Sequence, residues 1–130
     1  MISRHTLQMG TRPLERATWA GAVDAVGGET LAWLTRTMLY NGAIAASGLT
    51  GGTDLHTTVM PFILRGAKLL GIDSAMCPMA TRLNVWQLLA ATQWPAGLEA
   101  MTQQISLEEL PMAFETLMRG GARGRFVVKV

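Results

Sequence analysis

Residues 18–28 read TWAGAVDAVGG, and this stretch decides the fold. From Thr18 to Val23 the chain is small, apolar and uncharged, and after Asp24 it closes on Gly27-Gly28. A buried parallel strand carries apolar residues on both faces and ends in a glycine turn, so the stretch is expected to be one. The next residues, GETLAWLTRTML (28–39), place Leu31, Leu34, Met38 and Leu39 at helical spacing. Tyr40-Asn41-Gly42 is expected to stop that helix, because Asn and Gly accept the left-handed conformation that closes helices.

The unit then repeats. GAIAASGL (42–49) is a second short apolar run ending in glycine, and TTVMPFILRGA (57–67) predicts a short helix with Pro61 in its first turn. AKLLGIDSAM (67–76) is a third apolar run. Strand, crossover and strand in alternation imply an α/β class with parallel strands. Another helix is expected over 78–94, with Met79, Leu83, Trp86, Leu89 and Ala90 along one side and Trp94-Pro95-Ala96-Gly97 as its stop. In MTQQISLEEL (101–110) a short strand precedes Ser106 and Glu109, spaced as a capping box for a helix over 107–119. That helix presents Leu110, Ala113, Phe114 and Leu117, and Gly120-Gly121 ends it. GRFVVKV (124–130) is a β-branched closing strand with Lys129 facing water. Residues 1–17, mixed in charge and interrupted by Pro13, read as a mobile lead-in.

Composition narrows the class. The chain has 130 residues, enough for a single core, with net charge +2 and 15% charged residues. That bias is too small to argue for nucleic acid. Arg119, Arg123 and Arg125 form a short cluster, either a solvated helix end or a site where Arg125 turns to a phosphate or carboxylate. No run approaches the roughly 18 apolar residues of a membrane-spanning helix. The N-terminus lacks the apolar core of a secretion signal. One cysteine, Cys77, rules out an intrachain disulfide framework and suits a reducing cytoplasm. With His5 and His56 far apart, a structural zinc site is not expected. Cys77 reads as a small packing group, His56 as a solvated loop residue, and the nine methionines as core filler. So few charges on so apolar a chain imply faces buried against something else, in an oligomer or a larger protein.

Three strand ends carry glycine or small polar residues: Asp24–Gly28, Ser47–Gly52 and Gly71–Ser74. Ligands of open parallel sheets bind outside the carboxyl ends of the strands, so these turns are either a nucleotide-binding edge or simply tight connections. Asp24, Asp73 and Ser74 are likewise either site groups or turn and cap residues. Neither GxGxxG nor GxxxxGK[ST] occurs in the chain.

WAGAVDAVGG (19–28), GAIAASGLTGGTDLHTTVMPFILRGAKLLGIDSAMCP (42–78) and ISLEELPMAFETLMRGGARGRFVVKV (105–130) together resemble one family. It is the zinc-independent medium-chain dehydrogenase/reductases, in the quinone oxidoreductase-like branch that includes acrylyl-CoA reductase. The resemblance runs from about Arg12 to Val130. It implies the second half of a Rossmann-type parallel sheet with flanking helices (18–94). A returning segment (95–130) would follow, with strands belonging to a GroES-like catalytic domain that is otherwise missing. The first βαβ unit with its glycine-rich pyrophosphate turn would also lie outside this chain.

The intact protein would reduce an activated C=C bond of a quinone or acrylyl-CoA-like acceptor with NADPH. Hydride would go to the β-carbon and a proton to the α-carbon. The nicotinamide half of the cleft would be lined by Gly48, Leu49 and Thr50, by Ile63, and by Asp73 and Ser74, with Arg125 near cofactor or substrate. The 130 residues alone are expected to bind NADPH no better than about millimolar, and no residue among them is a candidate catalytic group. The third run also resembles the family's edge strand, so a homodimer through residues 68–76 is expected. Proline at Leu70 is the disrupting substitution this reading suggests. The alternative is a noncatalytic α/β module that dimerises through the same edge.

Overall fold

The computed structural model describes residues 8–92 and 97–130; His5 and the Trp94-Pro95-Ala96 helix stop lie outside the described residues. The chain divides into two compact units at Pro78/Met79. The first contains β1 (Trp19–Asp24), α1 (Gly28–Thr37), β2 (Met38–Ala46), α2 (Met60–Arg65) and β3 (Lys68–Gly71). Its strands form a parallel sheet in the order β1-β2-β3. Asp24 pairs with Ala46 and Ala46 with Gly71, so the three strand ends stand side by side. The parallel α/β reading is met here.

The core of this unit gathers Leu31 of α1, Met38 and Ile44 of β2, and Ala67, with Trp19, Leu34, Phe62 and Leu69 packed around it. Trp19 meets Trp33 of α1 edge to face at a centroid distance of 6.3 Å. Burial differs from expectation on β1. Val23 is 84% exposed whereas Asp24 is buried, so the strand is not apolar-packed on both faces. The methionines differ as well: among the described ones only Met38 is buried. Apolar pattern tells which faces shun water but not whether this chain covers them.

The helix stop is also corrected. α1 ends at Thr37, and Met38 starts β2 directly. Asn41 does take a left-handed φ of 61°, but inside the strand. Trp19 pairs with Met38 and Gly21 with Ala43, so β2 bulges between these pairs. A side chain at Gly42 would lie 2.7 Å from Met38 Cε and 2.9 Å from the Ala20 carbonyl oxygen, which reserves the bulge for glycine. The lead-in differs too. Residues 10–18 form no regular element yet are fastened to α1, where Glu15 N donates to the Arg36 carbonyl (2.9 Å) and Thr18 N to that of Thr37 (2.7 Å).

The second unit holds α3 (Met79–Ala91), a short 3-10 turn (Glu99–Met101), β4 (Thr102–Ile105), α4 (Leu110–Met118) and β5 (Arg125–Val128). β4 and β5 pair in parallel. α3 forms as expected, but Met79, Leu83, Trp86 and Leu89 are all exposed. α4 begins at Leu110 rather than 107, although Glu109 Oε2 accepts from Ser106 N at 2.8 Å as a capping box requires. Of the face expected on α4, Ala113 is buried and Leu110 half-buried, whereas Phe114 and Leu117 are exposed. Among the described residues no helix is long and apolar enough to cross a membrane.

Candidate functional site

The candidate site starts at Asp24. Its carboxylate turns back on its own loop and accepts from Val26 N (3.3 Å) and Gly27 N (2.9 Å). Asp24 is therefore a turn-former, and its buried position leaves it no role toward a ligand. Its main-chain oxygen accepts from Ser47 N (2.7 Å) and from the Ser47 hydroxyl (3.2 Å), which joins the first tip to the second.

The joining continues past the strands. Gly51 N donates to the Val26 carbonyl (2.7 Å), the Thr50 hydroxyl to that of Ala25 (3.3 Å), and Gly27 bridges Gly52. Loops 24–28 and 47–52 thus form one laced shelf at the carboxyl edge of the sheet. Leu49 stands on it 63% exposed, and Thr50 beside it is exposed. The third tip continues the row: Ile72 N donates to the Ala46 carbonyl (2.9 Å), and Asp73 and Ser74 follow, both exposed. Asp73 Oδ1 accepts from Met76 N (3.1 Å), closing the turn after β3.

The other two expected site residues are not themselves at these strand ends. Ile63 lies on α2, 73% exposed, and the C-terminal end of α2 adjoins Asn41 in the first half of β2. Arg125 opens β5 in the second unit, where its Nη1 donates to the Gly124 carbonyl (3.0 Å). Sequence reasoning did not single out a depression of about 290 Å³ beside the shelf. Gly28 and Glu29 line one side of it, and Gly51–Asp54 with His56 line the other. It shares Gly28, Gly51 and Gly52 with the shelf loops, but none of the expected site residues lines it. The shelf, unlike the depression, continues the row in which three parallel strands end together.

The shelf can present main-chain amides and carbonyls beside an apolar side chain. A flat ring bearing an amide needs that donor set: one donor and one acceptor at its edge, with apolar contact on its face. These residues fit the nicotinamide end of a dinucleotide on that ground.

No family model matches the sequence. The chain is 48% identical over 119 residues to the acrylyl-CoA reductase AcuI of Ruegeria pomeroyi, covering 92% of this chain and 36% of that protein. It is 44% identical over 132 residues to the provisionally named quinone oxidoreductase YhfP of Bacillus subtilis, covering 100% and 40%. Among solved structures, Escherichia coli K-12 YhdH with bound NADPH superposes with a TM-score of 0.84 at 45% identity, covering 94% of this chain and 38% of that one. Bacillus subtilis YhfP with bound NAD gives a TM-score of 0.82 at 44% identity, covering 92% and 36%. The chain spans about two fifths of the length of the curated relatives it matches. Over nearly its whole length, then, the chain is similar to one part of the quinone oxidoreductase-like, acrylyl-CoA reductase branch of the medium-chain dehydrogenase/reductases.

Proposed function

We propose that this chain forms the nicotinamide side of the cofactor site in an NADPH-dependent oxidoreductase that reduces an activated C=C bond of a quinone or acrylyl-CoA-like acceptor. The observation that carries the reading is the row of three parallel strand ends with the laced shelf at Gly48–Thr50. Bound NADPH in a YhdH relative and bound NAD in YhfP support a nicotinamide dinucleotide as the occupant. Residues 18–94 belong in this reading to the dinucleotide-binding domain and 95–130 to the returning segment. The lone cysteine supports a cytoplasmic setting.

The chemistry such a cofactor supplies is hydride donation. Main-chain groups of Gly48 and Leu49 hold the carboxamide and so fix which ring face is presented. The Leu49 side chain keeps water from the ring, and Asp73 and Ser74 bound the site at the third tip. Ile63 and Arg125 complete the site in the intact protein, Arg125 toward an anionic group. Orientation of this kind is worth several powers of ten in rate.

The test is an NADPH titration of the chain, read by nuclear magnetic resonance at the Gly48, Leu49 and Thr50 amides. Binding near millimolar is expected, with no NADPH oxidation by acrylyl-CoA or a quinone. Absence of any shift at these amides overturns the cofactor reading. Micromolar binding or turnover overturns the claim that this chain supplies only part of the site. The open outer edge of β3, with Leu70 and Ile72 exposed, favours a second reading: an α/β module that forms a homodimer through residues 68–76.

A further inference from the structure

Two guanidinium groups tie main-chain carbonyls together where α1 ends and β2 begins. Arg36, buried in the last turn of α1, donates from Nη1 to the Gly10 carbonyl (3.1 Å) and from Nη2 to that of His56. Arg65, the last residue of α2, donates from Nη1 to the carbonyls of Arg36 (2.8 Å) and Met38 (3.1 Å) and from Nη2 to that of Glu15. The Arg36 and Met38 carbonyls sit where α1 ends, at the negative pole of the helix, which favours a cation there. A third tie joins the same parts. Thr35 Oγ1 donates to the Ala32 carbonyl (2.7 Å), which leaves Thr57 to donate to Thr35 Oγ1, also at 2.7 Å.

His56, Thr57 and Arg65 all belong to the stretch that leaves the shelf at Gly52 and ends with α2. All three are fastened to the C-terminal half of α1. We infer that Arg36 and Arg65 are positioning residues: they fasten segment 53–65 to the C-terminal end of α1, and so set Ile63 relative to the sheet. The inference rests on the cofactor reading above for its functional meaning. Lysine has one ammonium on a flexible stem and cannot reproduce a guanidinium fork spread over separate carbonyls.

The test uses the 130-residue chain with Arg65→Lys, and Thr57→Val as the variant that leaves both guanidiniums intact. Hydrogen exchange is followed at Phe62 and Ile63, whose amides both donate to the Val59 carbonyl, and at Ser47, whose amide donates to Asp24. Exchange at Phe62 and Ile63 is expected to accelerate about tenfold in Arg65→Lys while Ser47 is unchanged, with a smaller effect of the same pattern in Thr57→Val. The NADPH dissociation constant is expected to rise about fivefold at an unchanged melting temperature. Unchanged exchange at Ile63 overturns the proposal, and so does equal acceleration at Ile63 and Ser47, which marks general loosening. A changed melting temperature with unchanged NADPH affinity leaves these arginines structural only, and also overturns it. If NADPH shifts no amide in the wild-type chain, the cofactor reading fails, while the exchange result still decides the fastening.

Discussion

Gly48 lies so close to Ala25 that a methyl group added to it would sit 2.5 Å from the Ala25 carbonyl oxygen. The partner atom is main chain and cannot swing aside, so the two strand tips must separate to admit any side chain. Gly48→Ala is therefore expected to destabilise the first unit by about 1–3 kcal/mol, the usual cost of overpacking. Urea unfolding measures it. Loss of the NADPH-dependent shift at Leu49 is expected in the same protein.

Asp24 carries the second prediction. Its carboxylate satisfies Val26 N and Gly27 N in a buried turn. Asp24→Ala leaves the Gly27 donor without its acceptor, at a cost of about 1–3 kcal/mol. Asp24→Asn keeps an acceptor oxygen and is expected to recover part of the loss. Equal unfolding midpoints for Asp24→Ala and the wild-type chain would show the turn to be held by its main chain alone.

These first two sites show what the sequence could and could not disclose. The three parallel strands were legible because a short apolar run closed by glycine leaves a local signature, even where β1 and β3 stay largely exposed. Asp24 stayed open between site and turn, and only its contacts decide for the turn. Asn41-Gly42 misled, because a left-handed residue serves a strand bulge as readily as a helix end. The exposure of Val23, Trp86 and Phe114 was hidden, since pattern marks an apolar face without naming its cover. Arg36 and Arg65 went unnoticed because their acceptors are main-chain carbonyls, which every residue type carries.

The start of α4 carries the pH prediction. A hydrogen bond from main chain holds the Glu108 carboxyl below its ordinary range, the Ser106 hydroxyl adds to this, and slight desolvation opposes it. A depressed carboxyl stabilises the folded state above its unfolded pKa. That contribution is lost as pH falls through the lower folded value. A carboxyl titration by nuclear magnetic resonance should place Glu108 below the ordinary glutamate range. In Glu108→Gln this part of the acid sensitivity of the 106–110 turn should vanish.

Ile44, fully buried in the second half of β2, carries the fourth prediction. Its removal leaves a cavity between the sheet and α1 that a core this small cannot readily close. Ile44→Ala is expected to cost about 2–5 kcal/mol. The second unit has its own buried residues, Ile105 and Ala113, so amide exchange at β4 should change less than at β2.

The edge of β3 tests the proposed homodimer, and its geometry selects the substitution. Ile72 N points inward to the Ala46 carbonyl. Amide direction alternates along a strand, so Leu70 N also points toward β2, while those of Leu69 and Gly71 point outward. Proline at Leu70 would therefore break the sheet itself rather than a contact between copies. Gly71 is the better position: it has no positive φ, and a side chain there would meet nothing within 4 Å. Gly71→Pro deletes one outward donor and leaves the pairing with β2 in place. Size-exclusion chromatography with light scattering should show a dimer for the wild-type chain and a monomer for Gly71→Pro, with unchanged circular dichroism. A dimer that survives the substitution would place the contact elsewhere than on residues 68–76.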